Sequence, residues 1–176
     1  KFVSLGGSRV FVAHDQGPYN ANKWIFWLND GQLQLHLNSP SLGPTYIGSG
    51  SFAPVSNRWY HVAITRSGPL FSFYLDGALN STATSSVSIP DANVPLTIGQ
   101  AENLAYLGGF ADEIAIYSRA LGASEIRDIY MAASAGKCQP TNAPSILAQP
   151  QSQTVFVGTD VRLSVEAAGT RPLSYQ

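Results

Sequence analysis

The sequence predicts an all-β fold: an antiparallel sandwich with one short helix. The clearest sign is residues 59–77, which read as two strands joined at Gly68-Pro69. Tyr60, Val62 and Ile64 point one way and Trp59, His61, Ala63 and Thr65 the other. Phe71, Phe73 and Leu75 form the apolar face of the return strand. Similar short runs recur along the chain between turn signals, without the spacing of βαβ units. Composition agrees. Charged residues are only 12% of the chain while Gly, Pro, Ser and Asn are plentiful, as in turn-rich proteins outside the cell.

In chain order, a strand is expected at 10–13, then a loop over 15–20, then a strand at 23–28. The turn Asn29-Asp30-Gly31 leads into 32–37, where Leu33, Leu35 and Leu37 alternate. In the 23–28 strand Trp24, Phe26 and Leu28 share one face and Ile25 and Trp27 the other. Aromatics on both faces require a further covering layer. Residues 38–51 read as a long loop, and the hairpin follows with a turn at Asp76-Gly77. Beyond a Ser/Thr-rich stretch to Pro90, strands are expected at 96–99 and 110–117. A helix is expected over 123–133, with Gly122 as N-cap, Glu125 three residues on, and a stripe of Ile126, Ile129 and Tyr130. It is expected to cross an end of the sandwich. Residues 134–144 change to a linker-like composition, and 154–157 and 161–167 alternate again.

Size and charge narrow the classes. The 176 residues hold one full domain and part of a second. A net charge of −1 without a basic cluster argues against nucleic-acid binding. No apolar run approaches the length that spans a bilayer, so membrane insertion is not expected. The single cysteine, Cys138, has no internal disulfide partner.

Residues 59–63 (Trp-Tyr-His-Val-Ala), 74–77 (Tyr-Leu-Asp-Gly), 96–99 (Leu-Thr-Ile-Gly) and 110–121 (Phe-Ala-Asp-Glu-Ile-Ala-Ile-Tyr-Ser-Arg-Ala-Leu) then carry a family likeness. With Glu125, Ile126, Tyr130 and the Gly136-Lys137-Cys138 run, they resemble bacterial laminin G-like (pentraxin/concanavalin A-like) jelly-roll modules. The pattern departs from the family at Ala111, where Gly is commoner, and at Gly122, where Ser or Thr is. The tail resembles the start of an immunoglobulin-like domain. The resemblance implies a jelly roll over 1–138, a linker over 139–145 and a partial immunoglobulin-like domain over 146–176, with both ends cut from a longer chain.

Two regions are candidates for chemistry. In the loop, Asp15, Gln16, Tyr19, Asn20 and Asn22 form a polar, hydrogen-bonding set near Trp24 and Trp27, the combination sugar recognition uses. Trp27 is the aromatic member of this candidate ligand set. In the 110–117 strand, Asp112 shares a face with Phe110, Ile114 and Ile116, where an unpaired carboxylate would cost several kcal/mol. The resemblance implies a structural calcium there, with Arg119 or backbone donors as the alternative partner. The three histidines have no zinc spacing, and there is no Gly-x-Ser-x-Gly elbow. Nor does any same-strand acidic pair suit glycoside hydrolysis.

The expected function is a non-catalytic recognition or adhesion module of a secreted or cell-surface protein. Its expected partners are a glycan or an extracellular protein, and the neighbouring domains of its parent chain. The alternatives are an accessory part of a secreted glycan-degrading hydrolase, or a structural stalk.

Overall fold

The computed structural model describes residues 1–19, 21–102, 105–132 and 145–168. The chain divides into two units, Lys1–Ser134 and Ala135–Gln176. In the first, β1 (Arg9–Asp15), β2 (Lys23–Asn29), β3 (Gln32–Asn38), β4 (Thr45–Ser51) and later β8 (Leu96–Ile98) form one sheet, ordered β4-β3-β2-β1-β8. A second sheet is β5 (Val62–Ser67), β6 (Leu70–Leu75) and β7 (Ala78–Thr84), in that order. All pairings are antiparallel.

The alternating residues explain how the sheets meet. Leu33, Leu35 and Leu37 of β3 and Phe26 and Leu28 of β2 project from one face of the five-stranded sheet. They pack against Phe71 and Phe73 of β6, both 0% exposed. Phe2, Phe52 and Leu107 close the same core, with Tyr60, Val62, Ile64 and Leu75 partly buried around it. The inward faces expected of the 59–77 hairpin are therefore those observed. On the outer face of the five-stranded sheet, Ile25, Val10 and Ala13 are covered by Ala101 and Ala105. That is the extra layer which aromatics on both faces of β2 require.

Two strands escape the sequence pattern, β4 inside the expected 38–51 loop and β7 in the Ser/Thr-rich stretch. Glycine hides β4. Gly48 (φ +148°) lies against the Leu33 carbonyl at the β3–β4 bulge, where a Cβ would come within 2.3 Å. Gly50 lies against Asn80 of β7, whose Nδ2 donates to the Ser51 carbonyl at 3.3 Å. The bulge and the close approach of two strands demand the residues that make the segment look like a loop.

The opposite correction applies to residues 110–117, expected as a strand. They form none and are exposed along their length, Phe110 at 58% and Ile116 at 63%. The segment begins tethered, with Phe110 and Lys1 exchanging backbone hydrogen bonds of 2.8 Å. Asp112 Oδ1 then accepts the Glu113 N–H at 2.9 Å, and Glu113 adopts φ +53°, which ends any extended run.

Helix α1 (Ala123–Ala132) forms as expected. The Gly122 carbonyl accepts from Ile126 N–H at 3.0 Å, and the Glu125 carboxylate accepts the Gly122 N–H at 2.9 Å. Arg119 holds the same carboxylate, and these bonds lower its pKa from the usual 4.5 to about 2. The helix does not cross an end of the sandwich. Ile126 and Leu121 pack on Tyr74, with Ala63 and Ile129 beside them, on the outer face of the three-stranded sheet. Ile126 is its one buried residue, and Tyr130 is exposed. In the second unit, β9 (Ser145–Ala148) pairs antiparallel with β10 (Glu166–Ala168), and residues 154–157 form no strand. The 134–144 linker, Cys138 and residue 133 lie outside the described residues.

Candidate functional site

The loop between β1 and β2 is built around a buried cation. Antiparallel pairing sets Asp15 opposite Lys23, and the Lys23 ammonium lies 3.5 Å from Asp15 Oδ1. It also donates to the Gly17 carbonyl at 2.5 Å and pairs with Glu102, which arrives from the segment after β8. Lys23 is only 1% exposed. Burying a lone ammonium costs several kcal/mol, which two carboxylates and a carbonyl offset here. Asp15 Oδ1 also accepts the Gly17 N–H at 2.9 Å, so the cluster holds the loop from both termini of its first turn.

This places the expected ligand set in three different roles. Asp15, with a side chain 4% exposed, anchors the loop rather than lining an open surface. Gln16 is exposed, and its N–H closes the loop on the Asn22 carbonyl at 3.1 Å. Tyr19 is 87% exposed at φ +61°, with its carbonyl held by Asn38 Nδ2 at 2.8 Å. Asn20 lies outside the described residues. Asn22 reaches a concave surface. Trp27 lies elsewhere, on the outer face of the sheet, whereas Trp24 packs on the inner core with its ring 6.0 Å from that of His14.

That concave surface is an open cleft of about 330 Å³ at one end of the sandwich. Asn22 enters from the β1–β2 loop, Ser39, Ser41 and Leu42 from the β3–β4 connection, and Val87, Ser88 and Pro90 from the chain after β7. Leu42 and Val87 continue the inner core to the surface, giving the cleft an apolar wall. The Ser39 hydroxyl accepts the Leu42 N–H at 3.1 Å and lies 3.3 Å from the Ser41 hydroxyl, which fixes the serine turn. Sequence reading missed Ser39, Ser41 and Ser88, because three separate connections meet only in the fold. Their Ser-rich composition was the one available signal.

On the outer face, Trp27, His36 and Tyr46 stack across β2, β3 and β4. Centroids are 5.6 Å apart for Trp27–His36 and 4.6 Å for His36–Tyr46. Burial, then the nearby Lys23 charge, lowers the His36 pKa, while Glu102, the Thr45 backbone and Asp15 oppose the shift. Burial thus favours the neutral ring. Trp27 Nε1, His36 Nδ1 and Asn38 Oδ1 are buried without a hydrogen-bond partner among the described residues.

Asp112 does not meet the condition that made it a metal candidate. It is exposed, and one oxygen already serves the Glu113 N–H. Among the described residues, no group of three or more His, Cys, Asp or Glu converges, so no second carboxylate is gathered with Asp112 there. The Arg119 alternative is not seen either, since its guanidinium binds Glu125 at 2.5 and 2.8 Å. Asp15 and Glu102 do converge, which their sequence separation concealed. Both are engaged by Lys23 instead of facing each other across an open cleft.

Among curated proteins no relative matches the chain. Among solved structures, a crystal structure of an S-layer domain-containing protein from Clostridium thermocellum is similar. Its identity is 27%, it covers 74% of this chain and 67% of that one, and the TM-score is 0.40. A laminin G family model, described as the concanavalin A-like lectin/glucanases superfamily, matches residues 3–127. With the antiparallel two-sheet sandwich, single helix and inward-facing hairpin already in place, this chain belongs to the concanavalin A-like lectin/glucanase superfamily, as a laminin G-like jelly roll.

Proposed function

We propose that the first unit is a non-catalytic recognition module of a secreted or cell-surface protein, binding a glycan or an extracellular protein. The observation that carries this reading is the cleft at Asn22, where amide and hydroxyl groups meet an apolar wall. The loop that carries Asn22 is held by the buried Lys23 cluster, so part of the site is organised before any ligand arrives. The low charge content supports an extracellular setting. Among the described residues no helix is long and apolar enough to cross a membrane. A non-enzymatic role is supported by the engagement of both converging carboxylates, Asp15 and Glu102, by the buried Lys23. The second unit, on this reading, is part of an immunoglobulin-like spacer.

A glycan array probed with the intact chain, alongside a reducing-sugar release assay on the same glycans, tests the reading. Retention without sugar release is the expected result. Sugar release would replace it with a hydrolase, and binding to no glycan or matrix protein would leave a stalk. A structural calcium at Asp112 is a separate proposal, which needs ligands beyond those now near it. It requires a calcium-dependent rise in Tm that Asp112→Ala abolishes. Equal melting in calcium and chelator removes it.

A further inference from the structure

We infer that the cleft selects an uncharged sugar unit and discriminates against acidic glycans, an inference that rests on the recognition reading above. The lining holds no ionisable side chain: Asn22, Ser39, Ser41 and Ser88 supply its polar groups, and Leu42, Val87 and Pro90 the rest. Each of those polar groups can both donate and accept, which matches sugar hydroxyls, themselves donors and acceptors. A carboxylate or sulfate offers acceptors only and calls for a cation or a row of N–H donors. Two cations near this lining already have protein partners. Lys23, next to Asn22 in the chain, is buried between Asp15 and Glu102. Arg66 donates to the Val87 carbonyl at 2.9 Å and the Gly68 carbonyl at 3.0 Å, with its guanidinium over the Phe71 ring. The charged neighbour of Pro90 is Asp91, which is exposed and repels anions.

The apolar wall adds a surface for the C–H face of a sugar ring. A volume of about 330 Å³ lies at the small end of ligand sites, which run from about 300 to 1,000 Å³. It suits a short stretch or the end of a glycan rather than a long embedded chain. A polypeptide would draw mainly on backbone pairing, and this cleft is lined by residues of three connections rather than by a free strand edge.

The test is calorimetric titration of the intact chain with two sets of tetrasaccharides. The uncharged set is cello-, xylo- and chito-oligosaccharides, and the acidic set is oligogalacturonate and a heparin fragment. The expected result is binding within the uncharged set, changing less than about twofold between about 50 and 200 mM salt. Ser88→Trp, which fills the cleft, is expected to weaken it at least about tenfold, and Asn22→Ala several-fold, both with Tm unchanged. Preference for the acidic set, with steep salt dependence, overturns the inference but leaves a recognition module. Uncharged-sugar binding that survives both substitutions also overturns it, by moving the site elsewhere. Failure to bind any glycan, with retention of an extracellular protein instead, overturns the sugar inference alone. Failure to bind either defeats the recognition reading as well.

Discussion

Asp15 and Asp112 exchange the environments that their neighbours in sequence imply. Asp15 follows a strand in a polar loop, yet its side chain is 4% exposed beside Lys23. Asp112 sits among Phe110, Ile114 and Ile116, yet lies in solvent and caps the next residue. The regions differ in what reaches them from elsewhere. Lys23 beside the β1–β2 loop receives Glu102 from the far side of the chain, and the adjoining faces of β1 and β2 receive the covering Ala101 and Ala105. The 110–117 segment is fixed to Lys1 at its start, forms no ladder, and only beyond it do Arg119 and Leu121 meet α1. Alternation states that a segment can be a strand; burial requires that something cover it.

The sharpest way to break this contrast is to remove the cation. Lys23→Ala leaves two carboxylates uncompensated, Asp15 among them deeply buried, and should destabilise the first unit by about 3–5 kcal/mol in urea unfolding. Replacing the whole cluster together (Lys23→Met, Asp15→Asn, Glu102→Gln) should recover most of that loss. If Lys23→Ala unfolds like the parent chain, the cluster is not the anchor described.

Next in size is a pair of matched truncations. Leu35→Ala, at 5% exposure in the core, should cost about 2–5 kcal/mol. Ile116→Ala, at 63% exposure, should stay within about 0.5 kcal/mol. A large loss at Ile116 would mean that the segment is covered in solution.

The smallest expected effect is the acid response of His36. Its folded pKa lies below the usual 6.5, so the unfolded chain takes up the proton first. The stability it contributes is complete above pH 6.5 and declines as pH falls through its folded pKa. An NMR titration of the ring should give a midpoint under 6.5, moving upward in Lys23→Met as the adjacent positive charge disappears. A midpoint at or above 6.5 would contradict the burial of His36 beneath Tyr46.

Much of the fold was legible because the residues carrying it act locally. The leucines of β3, the Asp30-Gly31 and Asp76-Gly77 turns at positive φ, and the Gly122–Glu125 cap each have a signature within a few residues. β4 was illegible for a physical reason. Its glycines are required by Leu33 and Asn80, which approach from other strands, and local reading sees only loop formers. The candidate site was half legible. Asn22 was identified with its loop, whereas the serines beside it come from two other connections.

By itself, then, the sequence determined an all-β, antiparallel, laminin G-like chain, the facing of its central hairpin and the capped helix. Period-two alternation, turn chemistry and caps are short-range and survive any arrangement of the pieces. The tertiary structure alone decided which strands found neighbours, which aspartate was buried, and which loops met to make a cleft. Those outcomes depend on contacts between residues as far apart as Lys23 and Glu102, and desolvation and pairing are properties of the assembled fold rather than of any segment.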